Sequence, residues 1–266
     1  MTKRVIFTDL IRSQKKVSFN IMMGIVILII IGIAVVVRIL PGIEDKGKGF
    51  VSGFNIITTA APFLAGIPVY SAIITDDFKS RTMQIAIGRG ISRSKLILCR
   101  FFEAAMMLAE AFIVYSIVTV ITGLIMGSSA GDLGITIGKL WVNGLLILAH
   151  ISICMFLAYG TLNPTVGLVF FILFSAGVFS LMLNLLDGIS FFKDNGIQFA
   201  EWVPSGIQTK INNYGFGQVA NEALDIAAVA KDAGKAILNV CIMIGAYMVV
   251  PIALAQTVFR KKELDF

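Results

Sequence analysis

Six apolar runs, each about as long as a bilayer-crossing helix requires or longer, partition this chain: Val17–Leu40, Ile56–Thr75, Leu96–Met126, Leu140–Tyr159, Val166–Leu186 and Ala236–Val258. A spanning helix takes about 20 mostly apolar residues, and helix is the form that pairs every backbone N–H and C=O within itself where no water can. One soluble core could not hide so much apolar surface. Hydrophobic residues make up 57% of the chain and charged residues 14%, against about 25% charged in ordinary globular domains. The expectation is an all-α membrane protein with six spans in a single transmembrane domain over residues 1–266. The first run exceeds the roughly 7 to 15 residues of a signal-peptide core and lacks a small-residue cleavage site, so it is expected to stay as a span.

Charge sets the expected topology. The formal net charge of +6 gathers in Lys3, Arg4, Arg12, Lys15 and Lys16, in Lys79, Arg81, Arg89, Arg93, Lys95 and Arg100, and in Arg260, Lys261 and Lys262. Basic flanks stay on the cytoplasmic side, which predicts a multi-pass protein of the cell membrane, the bacterial cytoplasmic membrane, with both termini inside. This clustering is a topology signal rather than a nucleic-acid footprint. Ile6, Phe7, Leu10 and Ile11 share one helical face of Thr2–Lys16, so that stretch is either a helix lying on membrane lipids or a plain basic flank. Asp187–Lys235 lacks a basic excess and is expected outside, with a short helical stripe of Val219, Ala223, Ile226, Ala227 and Ala230 between spans five and six. Gly42–Asn55 and Ser128–Lys139 read as short outer loops, Asn163-Pro164 as a tight turn, and Pro62 and Pro68 as sources of kinks in the second span. Gly123, Gly127 and Gly131 recur every four residues, either as a close-packing stripe or as a fraying helix end.

Groups able to do chemistry are few. Cys99, Cys154 and Cys241 are far apart and read as reduced packing residues, and His150, the only histidine, has no second metal ligand at a useful spacing. Neither a catalytic site nor a metal site is expected. Glu103 is expected at the wet end of the third span. Glu110 falls inside that span, where a carboxylate must face protein or a water-filled cavity; it either lines a pathway or pairs structurally with a neighbour such as Asn143. The chain contains no G-x-x-x-x-G-K-[ST] phosphate loop, so no bound nucleotide or other cofactor is expected on it.

The stretch between the second and third runs, DDFKSRTMQIAIGRGISRSKLILCR from Asp76 to Arg100, is basic and partly amphipathic. Asp77, Thr82, Gly90, Ser92-Arg93 and Arg100 resemble the cytoplasmic coupling loop of ABC-2 type transporter permeases, with Arg81 and Arg100 standing where that family often has Gly and Lys. The closing FRKKEL and the order of the spans also resemble that family. The resemblance implies the permease subunit of an ATP-driven exporter, with a cytoplasmic coupling helix and an N-terminal interfacial helix. It further implies docking on a separate ABC ATP-binding subunit, which carries ATP and Mg, and pairing with a second permease copy or a sister permease. Asp77, Thr82, Met83, Ile87, Gly90, Ser92 and Arg93 are then the coupling residues, with the apolar Met83, Ile85, Ile87 and Ile91 expected to fill a groove on the ATPase. A hydrophobic or amphipathic cargo, such as an antimicrobial peptide, a drug or a lipid-like molecule, fits the apolar spans. The alternatives are an ion- or proton-coupled secondary transporter or channel using Glu110, and a membrane anchor or sensor that recruits an ATPase.

Overall fold

The computed structural model describes residues 17–40, 42–79, 82–88, 90–187, 189, 199–204, 206, 207 and 226–261. The described residues form helices and no strands. They are α1 (Val17–Ile39), α2 (Lys46–Phe78), α3 (Thr82–Gly88), α4 (Arg93–Ile125), α5 (Ala130–Thr161), α6 (Pro164–Ser175), α7 (Val178–Asp187) and α8 (Ile226–Lys261), with a short 3₁₀ turn at Phe199–Trp202. Five helices are long and apolar enough to cross a membrane, and α6 with α7, bent by 56° at their junction, make a sixth if counted together. The Thr2–Lys16 stretch lies outside the described residues, as does most of the segment expected to be external.

The ends of the spans differ from expectation. α2 begins at Lys46 and α5 at Ala130, so stretches expected as loops are the first turns of these two helices, and the expected helical positions Ile226, Ala227 and Ala230 are continuous with the last span in α8. Gly and polar side chains weaken a helix on their own, but here tertiary contact overrides propensity. Gly47 lets α2 approach the α4–α5 turn so closely that a Cβ there would stand 2.7 Å from the Ser128 Cα, and the Ser128 hydroxyl donates to the Gly47 carbonyl at 3.1 Å. Caps start both helices. The Asp45 carboxylate accepts from the Lys48 N–H, which holds it below the usual carboxylate range, and the Ser129 hydroxyl accepts from the Asp132 N–H.

The recurring glycines turn out to do different things. Gly127, at φ +78°, closes α4: its N–H bonds the Leu124 carbonyl and the Ser128 N–H bonds the Gly123 carbonyl, the nested pair of a Schellman cap. Gly123 instead makes room for the Leu133 side chain. Pro62 opens one π-helical segment, Pro62–Gly66, and Pro68 lies just before a second, Ser71–Thr75. A wider turn of this kind relieves the clash of a proline ring with the preceding turn.

α5 is the central helix and packs against α2, α4, α6 and α8. One apolar core runs from Phe19 of α1 through Phe50 and Phe54 of α2 and Met107 and Phe112 of α4 to Tyr159 of α5 and Phe259 of α8. On α4 the buried positions Ala104, Met107, Leu108, Ala111, Phe112 and Tyr115 follow helical spacing, while Phe102, Met106, Ile113, Ile117 and Ile121 on the other face are equally apolar and exposed. That is the pattern of a helix between protein on one side and lipid on the other.

Candidate functional site

The helix ends nearest α3, called here the loop end, meet in a buried ionic and aromatic hub. α2 finishes with Asp77, and α4 brings Arg100 and, one turn on, Glu103. The Arg100 guanidinium grips the Asp77 carboxylate with two bonds, Nε to Oδ2 at 2.6 Å and Nη2 to Oδ1 at 2.7 Å, and its Nη1 donates to Glu103 Oε2 at 2.7 Å. All three residues are buried, at 2% exposure for Asp77, 4% for Arg100 and 2% for Glu103. Glu103 therefore lies toward the expected end of the third span but is buried and paired there rather than wet. A buried charge is stable only when paired, and the planar fork of Arg fixes orientation as well as charge.

Aromatic contacts extend the hub to the other helices. Phe78, next to Asp77, lies 5.5 Å from the Tyr159 ring of α5, which lies 5.2 Å from the Phe259 ring of α8. Arg93 at the start of α4 stacks 5.7 Å over Phe259, and its Nη1 donates to the Phe259 carbonyl at 3.2 Å. A cation at the C-terminal carbonyls of a helix is favourable for the helix dipole. Tyr70 of α2 donates to the carbonyl of Pro164, the first residue of α6, at 3.0 Å. The ends of α2, α4, α5, α6 and α8 are thus connected without reliance on loops.

α3 hangs from this hub. Gly90, at φ +85°, ends it with a second Schellman cap, Gly90 N–H to the Ile87 carbonyl and Ile91 N–H to the Ala86 carbonyl. Met83 is 6% exposed and joins the main core, and Ile87 and Ile91 pack partly against it. They anchor α3 to its own bundle, so they do not form the outward face expected of them. The outward face is carried by Ile85, 52% exposed, with Gly88, Gly90, Ser92 and Lys95 also exposed. Ser92 precedes α4 in extended conformation without bonding it through its side chain. Thr82 opens α3; its side chain, Arg81 and Arg89 lie outside the described residues.

Of the expected site residues, the structure gathers Asp77, Met83, Ile87, Gly90 and Arg93 around one hub. Glu110 is separate, half-buried on α4 and seven residues past Glu103, about 10 Å along the axis. Sequence reasoning missed the internal roles of Arg100 and Glu103, although an i, i+3 cation–carboxylate pair at the start of an apolar run was a usable signal. Nothing in the pattern pointed to Tyr159, and Phe259, the first residue of the closing FRKKEL, was not read as a packing residue. Among the described residues no group of His, Cys, Asp and Glu could hold a metal. Comparison with protein-family models finds no match, and neither does comparison with curated proteins.

Proposed function

We propose that this chain is the permease subunit of an ATP-driven exporter, moving a hydrophobic or amphipathic molecule out of the cytoplasm or the inner leaflet, with α3 as its coupling helix and the loop end facing the cytoplasm. The single observation that carries the reading is mechanical: a short exposed helix is fixed to its own bundle by Met83 and joined, through Asp77–Arg100 and Arg93–Phe259, to the ends of α2, α4 and α8. A push on Ile85 and its neighbours would move α2 and α4 as one rigid body. The π-helical segment Ser71–Thr75 lies immediately above Asp77, and Pro62–Gly66 about three turns further up α2, where a helix has slack to absorb that movement. ATP and Mg belong to a separate ATP-binding subunit, and a second permease subunit completes the pathway.

The test separates docking from transmission. Tagged chain purified from its native membrane is expected to bring down a nucleotide-binding chain with a phosphate loop. Ile85→Asp should lose that chain, whereas Arg93→Gln should keep it but hydrolyse ATP without moving cargo. Co-purification unchanged by Ile85→Asp would refute the docking face, and transport by the purified chain without any ATPase would favour the secondary-transporter reading.

A further inference from the structure

Irregular backbone and two orphaned polar groups, His150 Nε2 and the Ser175 hydroxyl, lie close together in the bundle. α6 rises from the loop end for only 12 residues, about 18 Å, before it breaks at Ala176 and Gly177 and α7 leaves at 56°. That is inside a hydrocarbon layer about 30 Å thick. The segment after α7 returns to a similar level, since Ile207 packs against Leu146 and Ala149 of α5 and Ile244 of α8. Its local 3₁₀ turn is capped by Asp187, whose carboxylate accepts the Phe199 and Ala200 N–H groups. Non-helical backbone at membrane depth is tolerated only where protein covers it or water reaches it.

α5 carries a polar stripe of Thr136, Lys139, Asn143 and His150, all buried; its His150 end faces this break, and Asn143 lies seven residues, about 10 Å, further along. In the neutral ring of His150 the Nδ1 must carry the proton, because it lies 2.9 Å from the Leu146 carbonyl. Nε2 is then an acceptor. It has no partner among the described residues, and the same is true of Asn143 Oδ1 and of the hydroxyl of Ser175, the last residue of α6. The His150 ring lies 5.9 Å from Phe171 and 6.2 Å from Phe174, so it faces the last turns of α6 below the break. A different void shows the contrast: the small pocket between α1, α2, α4 and α5 is lined by Val26, Ile57, Leu64, Phe112, Tyr115 and Leu140, the kind of lining that stays dry.

We propose that a hydrated crevice runs along α5 in the membrane interior, from the α6–α7 break beside His150 to Asn143, where Asn143 Oδ1 and His150 Nε2 accept hydrogen bonds from water. Each acceptor left dry would forfeit a hydrogen bond in hydrocarbon, and water supplies the missing donor. On the exporter reading, which this clause alone rests on, the crevice is where the polar part of an amphipathic cargo travels.

Because His150 is the only histidine, histidine labelled in both ring nitrogens gives one imidazole signal pair. The whole chain, in lipid bilayers without any ATPase, is measured by solid-state magnetic resonance for magnetisation transfer from water. Transfer to His150 is expected to be much faster than to Phe112 in the dry pocket, with Nδ1 protonated and Nε2 shifted as an acceptor engaged by a donor. Asn143→Leu should slow that transfer several-fold. Hydroxyl-radical footprinting of the unmutated chain should also oxidise the fully buried Phe171 ring. Transfer to His150 as slow as to Phe112, or no oxidation at Phe171, overturns the crevice while leaving the ATPase-coupling experiment untouched.

Discussion

The hub at the loop end and the seam along α5 are both polar, both buried, and about 14 Å apart along one helix, from Tyr159 to His150, yet they are built on opposite rules. In the hub, the charged groups, a guanidinium and two carboxylates, are matched by short bonds on both sides, while the neutral Tyr159 hydroxyl beside them has no partner among the described residues. In the seam, beside the buried Lys139, the neutral Asn143 and His150 are left with acceptors that have no partner among the described residues. The difference follows from cost. An unpaired charge in a membrane interior costs several kcal/mol and has to be paired within the protein, whereas an orphaned amide or imidazole costs about 1 to 3 kcal/mol and can be left for a visiting donor. The hub suits transmission of force, and the seam suits exchange of partners.

The largest effect should come from breaking the hub on one side only. Arg100→Leu strands Asp77 and Glu103 together and is expected to destabilise the purified protein by about 3 to 5 kcal/mol, read as a fall in thermal midpoint in mild detergent. The triple change Arg100→Leu, Asp77→Asn, Glu103→Gln removes all the charge and should recover most of that stability. If the chain is the exporter subunit proposed above, its transport should nevertheless be uncoupled, because the bidentate clamp between α2 and α4 is gone. A triple variant as unstable as Arg100→Leu would mean that the hub's value lies in packing rather than in charge.

A second, smaller effect tests the junction between the two regions. Gly167 on α6 sits where a Cβ would collide with the Tyr70 hydroxyl and stand 2.6 Å from the Cys154 carbonyl oxygen. Gly167→Ala should cost about 1 to 3 kcal/mol, as overpacking does. It should also weaken the Tyr70–Pro164 bond that ties α6 to the hub, visible as faster hydrogen exchange at the start of α6. Unchanged stability would show that α6 is free to shift and that the break above it, not its base, fixes its position.

Part of this was legible in the residues. Run length and hydropathy located the five helices long and apolar enough to cross a membrane and the bent pair that could make a sixth, because burying backbone in lipid leaves few alternatives to helix. Which face of each helix meets protein was not legible, since on α4 the buried Met107 and Phe112 and the exposed Phe102 and Ile117 are equally apolar. The loop motif placed Asp77, Gly90 and Arg93 together, but the sequence has no way to say that Asp77 and Arg93 turn inward. That depends on Arg100 and Phe259, which lie 23 and 166 residues away from them. The break in the fifth run was hidden for a similar reason: Ser175, Ala176 and Gly177 are small residues that a membrane helix commonly contains, and only the course of α7 away from α5 distinguishes a break from a close contact.

The smallest effect carries the sharpest sign. Asn143 donates through Nδ2 to the Lys139 carbonyl at 2.9 Å, while its Oδ1 has no protein partner among the described residues. Asn143→Leu nearly conserves volume and removes both groups. If the seam were dry, the change would delete a stranded acceptor and stabilise the protein by about 1 to 3 kcal/mol, less the lost Nδ2 bond. If water occupies the crevice, Oδ1 is already satisfied, and the same change forfeits two ordinary hydrogen bonds worth about 0.5 to 1.5 kcal/mol each. A modest destabilisation is therefore expected, measured by the thermal midpoint beside His150→Phe, which should behave alike. Stabilisation by both substitutions would mean that the seam is dry, leaving the hub and the seam as two structural polar clusters that differ only in how completely they are paired.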